Sequence, residues 1–364
     1  MNNIRPTVME VDVNAFCYNV EKIQEFVGNN VQIMPVLKAN AYGTNINYLS
    51  KITNKFSIIA VAIVEEGVRL RKYYGYKGEI FILNPPLVDE LDEILENNLT
   101  IGICDEKAIE KIGNTNKKVT VHLEIDTGMG RTGIFPKDII KYIKKIKEYS
   151  NINLEGIYTH FSSADNDLDY TNYQIKNFKK CVEEAKKLAN LKYIHCSASN
   201  GILNFPECNY NLVRPGIILY GYESCDKTFS KIKLKPVCKL KSKITYLKYV
   251  EDGYSIGYSR KFITNKKSKI ATIPIGYADG FPRMCNKGYI VIDGKKAPII
   301  GSVCMDNLMV DVTNIDNTYI GQDVYIWDND LIKIEDIAEL TNTINYEIIS
   351  RISERVPRVF FNFE

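Results

Sequence analysis

From residue 30 to residue 225 the chain repeats one pattern, a short β-branched apolar run followed by a longer amphipathic stretch. The runs are Ile33–Leu37, Ile58–Ile63, Ile80–Leu83, Thr100–Cys104, Val119–Ile125, Leu154–His160, Lys192–Cys196 and Asn211–Val213. Between them, Val64–Tyr73, Val88–Asn97, Pro136–Tyr149 and Asp169–Ala189 carry apolar residues at helical spacing. Eight strands alternating with eight helical connections predict a parallel (β/α)8 barrel, with a doubly wound open sheet as the alternative.

Beyond residue 230 the pattern changes. Val237–Tyr249, Ser268–Ile275, Tyr289–Ile292, Ala297–Val303, Leu308–Val312 and Asp323–Ile326 are strand-like and closely spaced, with turn signals such as Asp252-Gly253 and Asp293-Gly294 between them. This predicts a mostly antiparallel β domain with one late helix near Ile334–Thr341. The domains are therefore expected at 1–229 and 230–364, with the alternating segment Thr7–Val13 of the first 13 residues pairing with the second domain's sheet.

Composition narrows the function. A charge of +3, from 47 basic and 44 acidic residues, is too balanced to suggest a nucleic-acid partner. No apolar run approaches the roughly 20 residues needed to span a bilayer, and Met1–Val11 is too polar for a signal peptide. Nine cysteines without C-x-x-C pairing point to reduced thiols in the cytoplasm. Three histidines without ligand spacing give no reason to expect a metal.

The chemistry concentrates at the ends of the predicted strands. Lys38, in Val36-Leu37-Lys38-Ala39-Asn40-Ala41-Tyr42-Gly43, ends the first strand at the face where barrel enzymes build their sites. A desolvated lysine loses basicity and can condense with an aldehyde, whereas a lysine merely snorkelling from a strand end would do neither. Asp126–Arg131 follows the fifth strand, Tyr158-Thr159-His160 ends the sixth, His195–Asn200 follows the seventh, and Val213–Ile217 ends the eighth. Ser199 and the amides near Gly216 and Ile217 fall where barrels often bind phosphate. Each motif is common alone; five on one rim are hard to explain as packing.

Together with Gly276-Tyr277-Ala278-Asp279-Gly280, Cys304-Met305-Asp306 and Arg355-Val356-Pro357-Arg358, these motifs make the sequence resemble the alanine racemase family across nearly its whole length. The resemblance implies an N-terminal barrel that binds pyridoxal 5'-phosphate, a C-terminal β domain, alanine as substrate and a homodimer with shared active sites. It implies D-alanine supply for peptidoglycan. Carried over by position, Lys38 holds the cofactor. Tyr42, Ser199, Gly216, Ile217 and Tyr346 hold its phosphate, His160 packs on its ring, and Arg214 faces its ring nitrogen. Arg131 and the Met305 backbone meet the substrate, Tyr277 lines the entry corridor, and His195 and Asp306 support the site. Tyr258 is the second catalytic base, delivered by the partner subunit. Racemisation needs two bases on opposite faces of Cα, which Lys38 and Tyr258 provide. An arginine at the ring nitrogen leaves that nitrogen unprotonated, which argues against transamination and against a decarboxylase, where an acid is expected. A cofactor carrier would lack the β domain. His122 is read as structural and Cys304 as a buried thiol.

The chain departs from the family at several positions. Glu124 stands where many relatives carry a carbamylated lysine, and is expected to pair with Arg131 without carbon dioxide. Thr44-Asn45 replaces His-Gly, and Ser197-Ala198-Ser199 replaces Ala-Asn-Ser, so that Ser197 or water must replace a phosphate-side amide. Ser302 replaces an arginine.

Overall fold

Parallel pairing runs without interruption through the middle strands of the N-terminal half, Ile58–Val61, Glu79–Ile82, Thr100–Ile103, Val119–Glu124, Ile152–Tyr158 and Tyr193–His195. In the computed structural model, which describes residues 5–47, 55–115, 117–223 and 232–362, two further strands close this sheet into a ring. Gln32–Ile33 pairs in parallel with Leu212–Val213. Val36 bridges to Ala60 on one side of the ring, and Ala198 bridges to Arg214 on the other. Eight parallel strands thus form the barrel, and the closing pairs rule out the open sheet.

The strands are apolar along their length because both of their faces are covered. Ile58, Ile59, Ala60, Ile80, Phe81 and Ile82 are all fully buried. The flanking helices bury one stripe each. Asp105 caps Glu106–Gly113 by accepting from the Ala108 amide (2.9 Å), and Ile109 and Ile112 face inward. Asp167 caps the long helix Leu168–Leu188 in the same way through the Tyr170 amide (2.9 Å). The two central predicted helices each begin with a 3-10 turn, at Val88–Glu90 and Pro136–Asp138.

The chain divides into two compact units. One comprises residues 17–41 and 46–235 and holds the barrel; the other comprises residues 1–16, 42–45 and 236–364. The second unit is a nine-stranded sheet. Its neighbours are antiparallel except where Val8–Asp12 runs parallel to Arg358–Phe361 while pairing antiparallel with Cys238–Lys243. The run predicted as one strand over 237–249 is two, Cys238–Lys243 and Tyr246–Val250. The amides of Ile244 and Thr245, between them, bond to Gln322 and Thr272, so the chain passes from one part of the sheet to another at that point. Two helices, Ile334–Leu340 and Asn345–Arg351, lie between the strand Asp323–Trp327 and the last strand, Arg358–Phe361. The second, of seven residues like the first, was not expected from the sequence. Among the described residues, no helix is long and apolar enough to cross a membrane.

Met9, the second residue of Val8–Asp12, is 0 % exposed. Met9→Ala should cost about 2–5 kcal/mol, read as a lowered denaturation midpoint of the β unit; an unchanged midpoint would show that this strand adds little to the sheet.

Candidate active site

Lys38 stands at the end of the first barrel strand and leads directly into an inverted turn. Ala39, Asn40, Ala41 and Tyr42 have φ of +52°, +54°, +55° and +53°, and the Ala41 amide bonds to the Leu37 carbonyl (3.0 Å). Left-handed turns cost about 1–2 kcal/mol per non-glycine residue, so the surroundings must hold this one. Glu66, at the start of Val64–Lys72, does part of that work: its carboxylate accepts from the amides of Ala39 (2.6 Å) and Ala62 (2.8 Å). Neither the turn nor Glu66 was expected from the sequence. The signal available was the Glu65-Glu66 pair at a helix start.

The Lys38 ammonium is weakened by burial, then by the charges of Arg131 and Arg214, with Glu66 opposing. His160 is pushed down to about 3 by burial and by the positive charges of Arg214, Arg131 and Lys38, so its imidazole is neutral. Lys38, Arg131, His160 and Arg214 are therefore brought within one electrostatic neighbourhood.

Arg214, 3 % exposed, is its fixed point. Nη1 donates to His195 Nδ1 (2.7 Å). Nη2 donates to the Thr159 carbonyl (2.8 Å) and lies 3.2 Å from the Cys196 carbonyl and 3.3 Å from His160 Nδ1. Its Nε–H has no protein acceptor among the described residues. His195 is thus a hydrogen-bond partner of Arg214.

His122 does more than fill space. Its Nδ1 lies 2.8 Å from His195 Nε2, and its Nε2 faces Glu155 Oε2 at 3.7 Å. Lys192 bridges Glu155 (3.0 Å) and Glu79 (3.5 Å). Glu79 is pushed up to about 7 by burial and by Glu155. Burial works against ionisation of Glu155 too, but the donors His122, Lys192 and Glu79 hold it down to about 2. Potential ligand atoms of Glu79, His122 and Glu155 come within 4.8 Å of one another, a grouping that sequence spacing could not reveal. The Lys192 ammonium already balances that cluster.

Ser199, the first residue of Ser199–Asn204, accepts from the Gly216 amide (3.1 Å). Ile217 opens the 3-10 turn Ile217–Tyr220, and its amide has no protein acceptor among the described residues. Ser197 cannot replace the missing phosphate-side amide, because it is fully buried and donates to the Cys208 carbonyl (3.2 Å). The expected Glu124–Arg131 pair is likewise absent. Glu124, 3 % exposed, accepts from the Thr132 hydroxyl (2.9 Å), whereas Arg131 is exposed. Desolvation raises the Glu124 carboxyl above its usual 4.5, opposed by Thr132, Tyr158 and the more distant arginines.

The remaining residues belong to the β unit. Tyr42 is buried with its ring 6.1 Å from that of Tyr346, on Asn345–Arg351. A Cβ on Gly43 would lie 2.6 Å from the Ile349 carbonyl, which is why glycine follows Tyr42. Tyr258 is 67 % exposed in a tight turn where Gly257, Ser259 and Arg260 all have positive φ. Met305 and Tyr277 are exposed as well. The amides of Tyr277 and Ala278 bond to the carbonyls of Cys304 and Met305 (3.1 and 3.0 Å), and Asp306 pairs with Arg355 (2.7 Å). Asp279, fully buried, pairs with Arg5 (2.7 Å) and fixes this loop, a role the sequence did not disclose. Cys304 is half-buried rather than buried, and Ser302 donates to Cys285 Sγ (3.4 Å).

A lysine of weakened basicity on the rim of a (β/α)8 barrel, grouped with a neutral imidazole and a buried guanidinium, is the equipment of an enzyme that condenses its amine with a carbonyl compound. The chain matches the alanine racemase N-terminal domain over residues 11–224 and the C-terminal domain over residues 237–360. It is 40 % identical to the alanine racemase of Halothermothrix orenii, over 98 % of this chain and 97 % of that protein. Among solved structures, alanine racemase from Clostridium difficile 630 superposes with a TM-score of 0.93 at 34 % identity, covering 98 % of this chain and 96 % of the other. Alanine racemase from Bacillus anthracis with bound L-Ala-P gives 0.92 at 31 % identity, covering 100 % and 96 %. The chain belongs to the alanine racemase family.

Because burial raises Glu124, the folded chain retains a proton there that the unfolded chain releases, and stability falls as pH rises from about 4.5 through the raised value. Glu124→Gln should therefore unfold at a higher temperature than the parent near pH 7.5, with the advantage gone by about pH 4. A parent chain that is the more stable of the two at both pH values would contradict this.

Proposed function

We propose that this chain interconverts L- and D-alanine with pyridoxal phosphate, as a homodimer in which each copy lends Tyr258 to the other. The observation that carries the reading is the Arg214 environment: every Nη contact is met by a neutral acceptor, while the Nε–H is left for one more. A guanidinium donates and does not deprotonate, so it suits an unprotonated ring nitrogen and not the protonated one a carboxylate would favour. That choice separates a racemase from a fold-related decarboxylase.

The barrel residues fit the cofactor's parts. Lys38 offers an amine to the aldehyde, His160 a neutral ring face, and the Ile217 amide with the Ser199 hydroxyl donors toward the phosphate; the Gly216 amide holds Ser199 Oγ in place, and the resemblance also assigns Gly216, Tyr42 and Tyr346 to the phosphate. When bound, pyridoxal phosphate supplies the electron sink that acidifies the substrate Cα–H. Lys38 removes or returns the proton on one face of Cα, and burial together with Arg131 keeps its amine closer to neutral for that task. Tyr258 serves the other face. Its exposure is what a residue offered to a second copy requires, and the exposed Met305, whose amide has no acceptor among the described residues, accompanies it. Arg131 orients the substrate carboxylate. Tyr277 lines the approach, and Asp306, held by Arg355, fixes the Met305 loop.

The Bacillus anthracis relative is seen with L-Ala-P, which supports a small amino acid as the substrate class. D-Alanine then serves peptidoglycan assembly. Cys17, Cys104, Cys181, Cys196, Cys208, Cys285 and Cys304 are free thiols, in keeping with a cytoplasmic enzyme. A cofactor carrier is disfavoured because the β unit with Tyr258 and Met305 would have no task in it.

Purified protein with pyridoxal phosphate should bring L-alanine to equal amounts of both enantiomers by chiral chromatography, with L-serine slower, and Lys38→Ala should abolish it. Tyr258→Phe should lower kcat by about 10²–10⁴-fold, the contribution of one positioned base. Alanine remaining L while cofactor still attaches to Lys38 would overturn the racemase reading.

A further inference from the structure

Arg214 is the near end of a single file of polar groups leading through the barrel interior to Glu155. Its links are Arg214 Nη1 to His195 Nδ1 (2.7 Å), His195 Nε2 to His122 Nδ1 (2.8 Å), and His122 Nε2 toward Glu155 Oε2 (3.7 Å). Both imidazoles are 0 % exposed and walled by aromatic rings: Phe81 stacks on His122 at 4.6 Å and Tyr158 on His195 at 5.0 Å. Water cannot readily replace a lost partner in such a place.

Only one placement of hydrogens satisfies the file. A guanidinium has donors and no acceptor, so His195 Nδ1 must present a lone pair. Its hydrogen is then on Nε2 and is given to His122 Nδ1. The His122 hydrogen is in turn on Nε2, where Glu155 is the carboxylate it faces; neither His122 Nε2 nor Glu155 Oε2 has any closer partner among the described residues. Without that carboxylate, no acceptor among the described residues faces His122 Nε2, and only the Arg214 end of the file opposes a move of the hydrogen to Nδ1. The shift passes along the file and ends with a hydrogen on His195 Nδ1, donor against donor with Arg214.

We propose that Glu155, acting through His122 and His195, is a positioning residue for the active site: it sets the tautomer of both imidazoles so that Arg214 always meets a lone pair and keeps its Nε–H directed at the cofactor's ring nitrogen. This rests on the racemase reading for the task of Arg214. The proposal adds Glu155, on the strand Ile152–Tyr158, to the residues that serve the reaction from the rim.

The test uses holoenzyme loaded with pyridoxal phosphate labelled with ¹⁵N at the ring. Glu155→Leu removes the acceptor, and Glu155→Gln keeps an oxygen acceptor while removing the charge. The Leu variant should lose about 10- to 100-fold in kcat, the scale of a misaligned catalytic contact, with little change in KM for alanine and a displaced ring-nitrogen resonance. The Gln variant should retain the parent resonance and most of kcat. A folded, loaded Leu variant with parent kcat and resonance overturns the proposal. So does a Gln variant as impaired as Leu, because charge and not hydrogen direction would then be at work. Should the Leu variant fail to fold, the parent alone decides: the chain has three histidines, and magic-angle-spinning ¹⁵N spectra of the histidine-labelled holoenzyme should show His122 and His195 as neutral Nε2–H tautomers. Either one found protonated, or in the Nδ1–H form, overturns the proposal. If the parent enzyme neither binds the cofactor through Lys38 nor racemises alanine, the racemase reading has failed instead, a result separable from all of these.

Discussion

Arg214 brings a full positive charge to a position 3 % exposed, and among the described residues no carboxylate forms an ion pair with it. A buried charge is costly unless its hydrogen bonds are met. Here they are met by two carbonyls and two imidazoles, and the carbonyls, of Thr159 and Cys196, belong to chain leaving adjacent barrel strands. They converge only if the barrel is closed at the Ala198–Arg214 bridge. Burial keeps His160 and His195 neutral and weakens Lys38, and the same charge adds to each effect. One cation thus ties ring closure to the protonation states around it.

The two units divide the work along chemical lines. The barrel supplies groups whose value lies in being fixed and dry. The β unit supplies exposed side chains on stiffened loops: Tyr258 is set by positive φ at Gly257, Ser259 and Arg260, and Met305 by the carbonyl contacts with Tyr277 and Ala278. An exposed residue can still be precise when the backbone under it has few alternatives.

The features legible in the sequence are the local ones. Strand ends are marked by runs of β-branched residues, so Lys38, His160, Ser199 and Arg214 could be put on one rim before any coordinates. The left-handed turn over Ala39–Tyr42 could not, since of Ala-Asn-Ala-Tyr only Asn40 tolerates positive φ readily, and one such residue does not mark a run of four. His122 was opaque because its partners, His195 and Glu155, are distant in sequence and meet only across the barrel interior. The Glu124–Arg131 pair, expected because Glu124 stands where many relatives carry a carbamylated lysine, failed because Glu124 is buried beside Thr132 while Arg131 is exposed. The strand order of the β unit is non-local throughout, and the division of 237–249 into two strands was hidden by its continuous strand-like composition.

The excursion of residues 42–45 into the β unit bears on the order in which the protein can be made. Tyr42 lies beside Tyr346, Gly43 is packed under Ile349, and the Gly43 carbonyl receives the Arg358 guanidinium (2.8 Å). The strand Val8–Asp12 also waits, for its parallel neighbour Arg358–Phe361. On a ribosome, the segment next to Lys38 would be among the first to emerge and among the last to find its partners. The lysine could be synthesised early, yet the turn that carries on from it would settle only when the final strand arrives, so a nascent chain has little prospect of acting before it is whole.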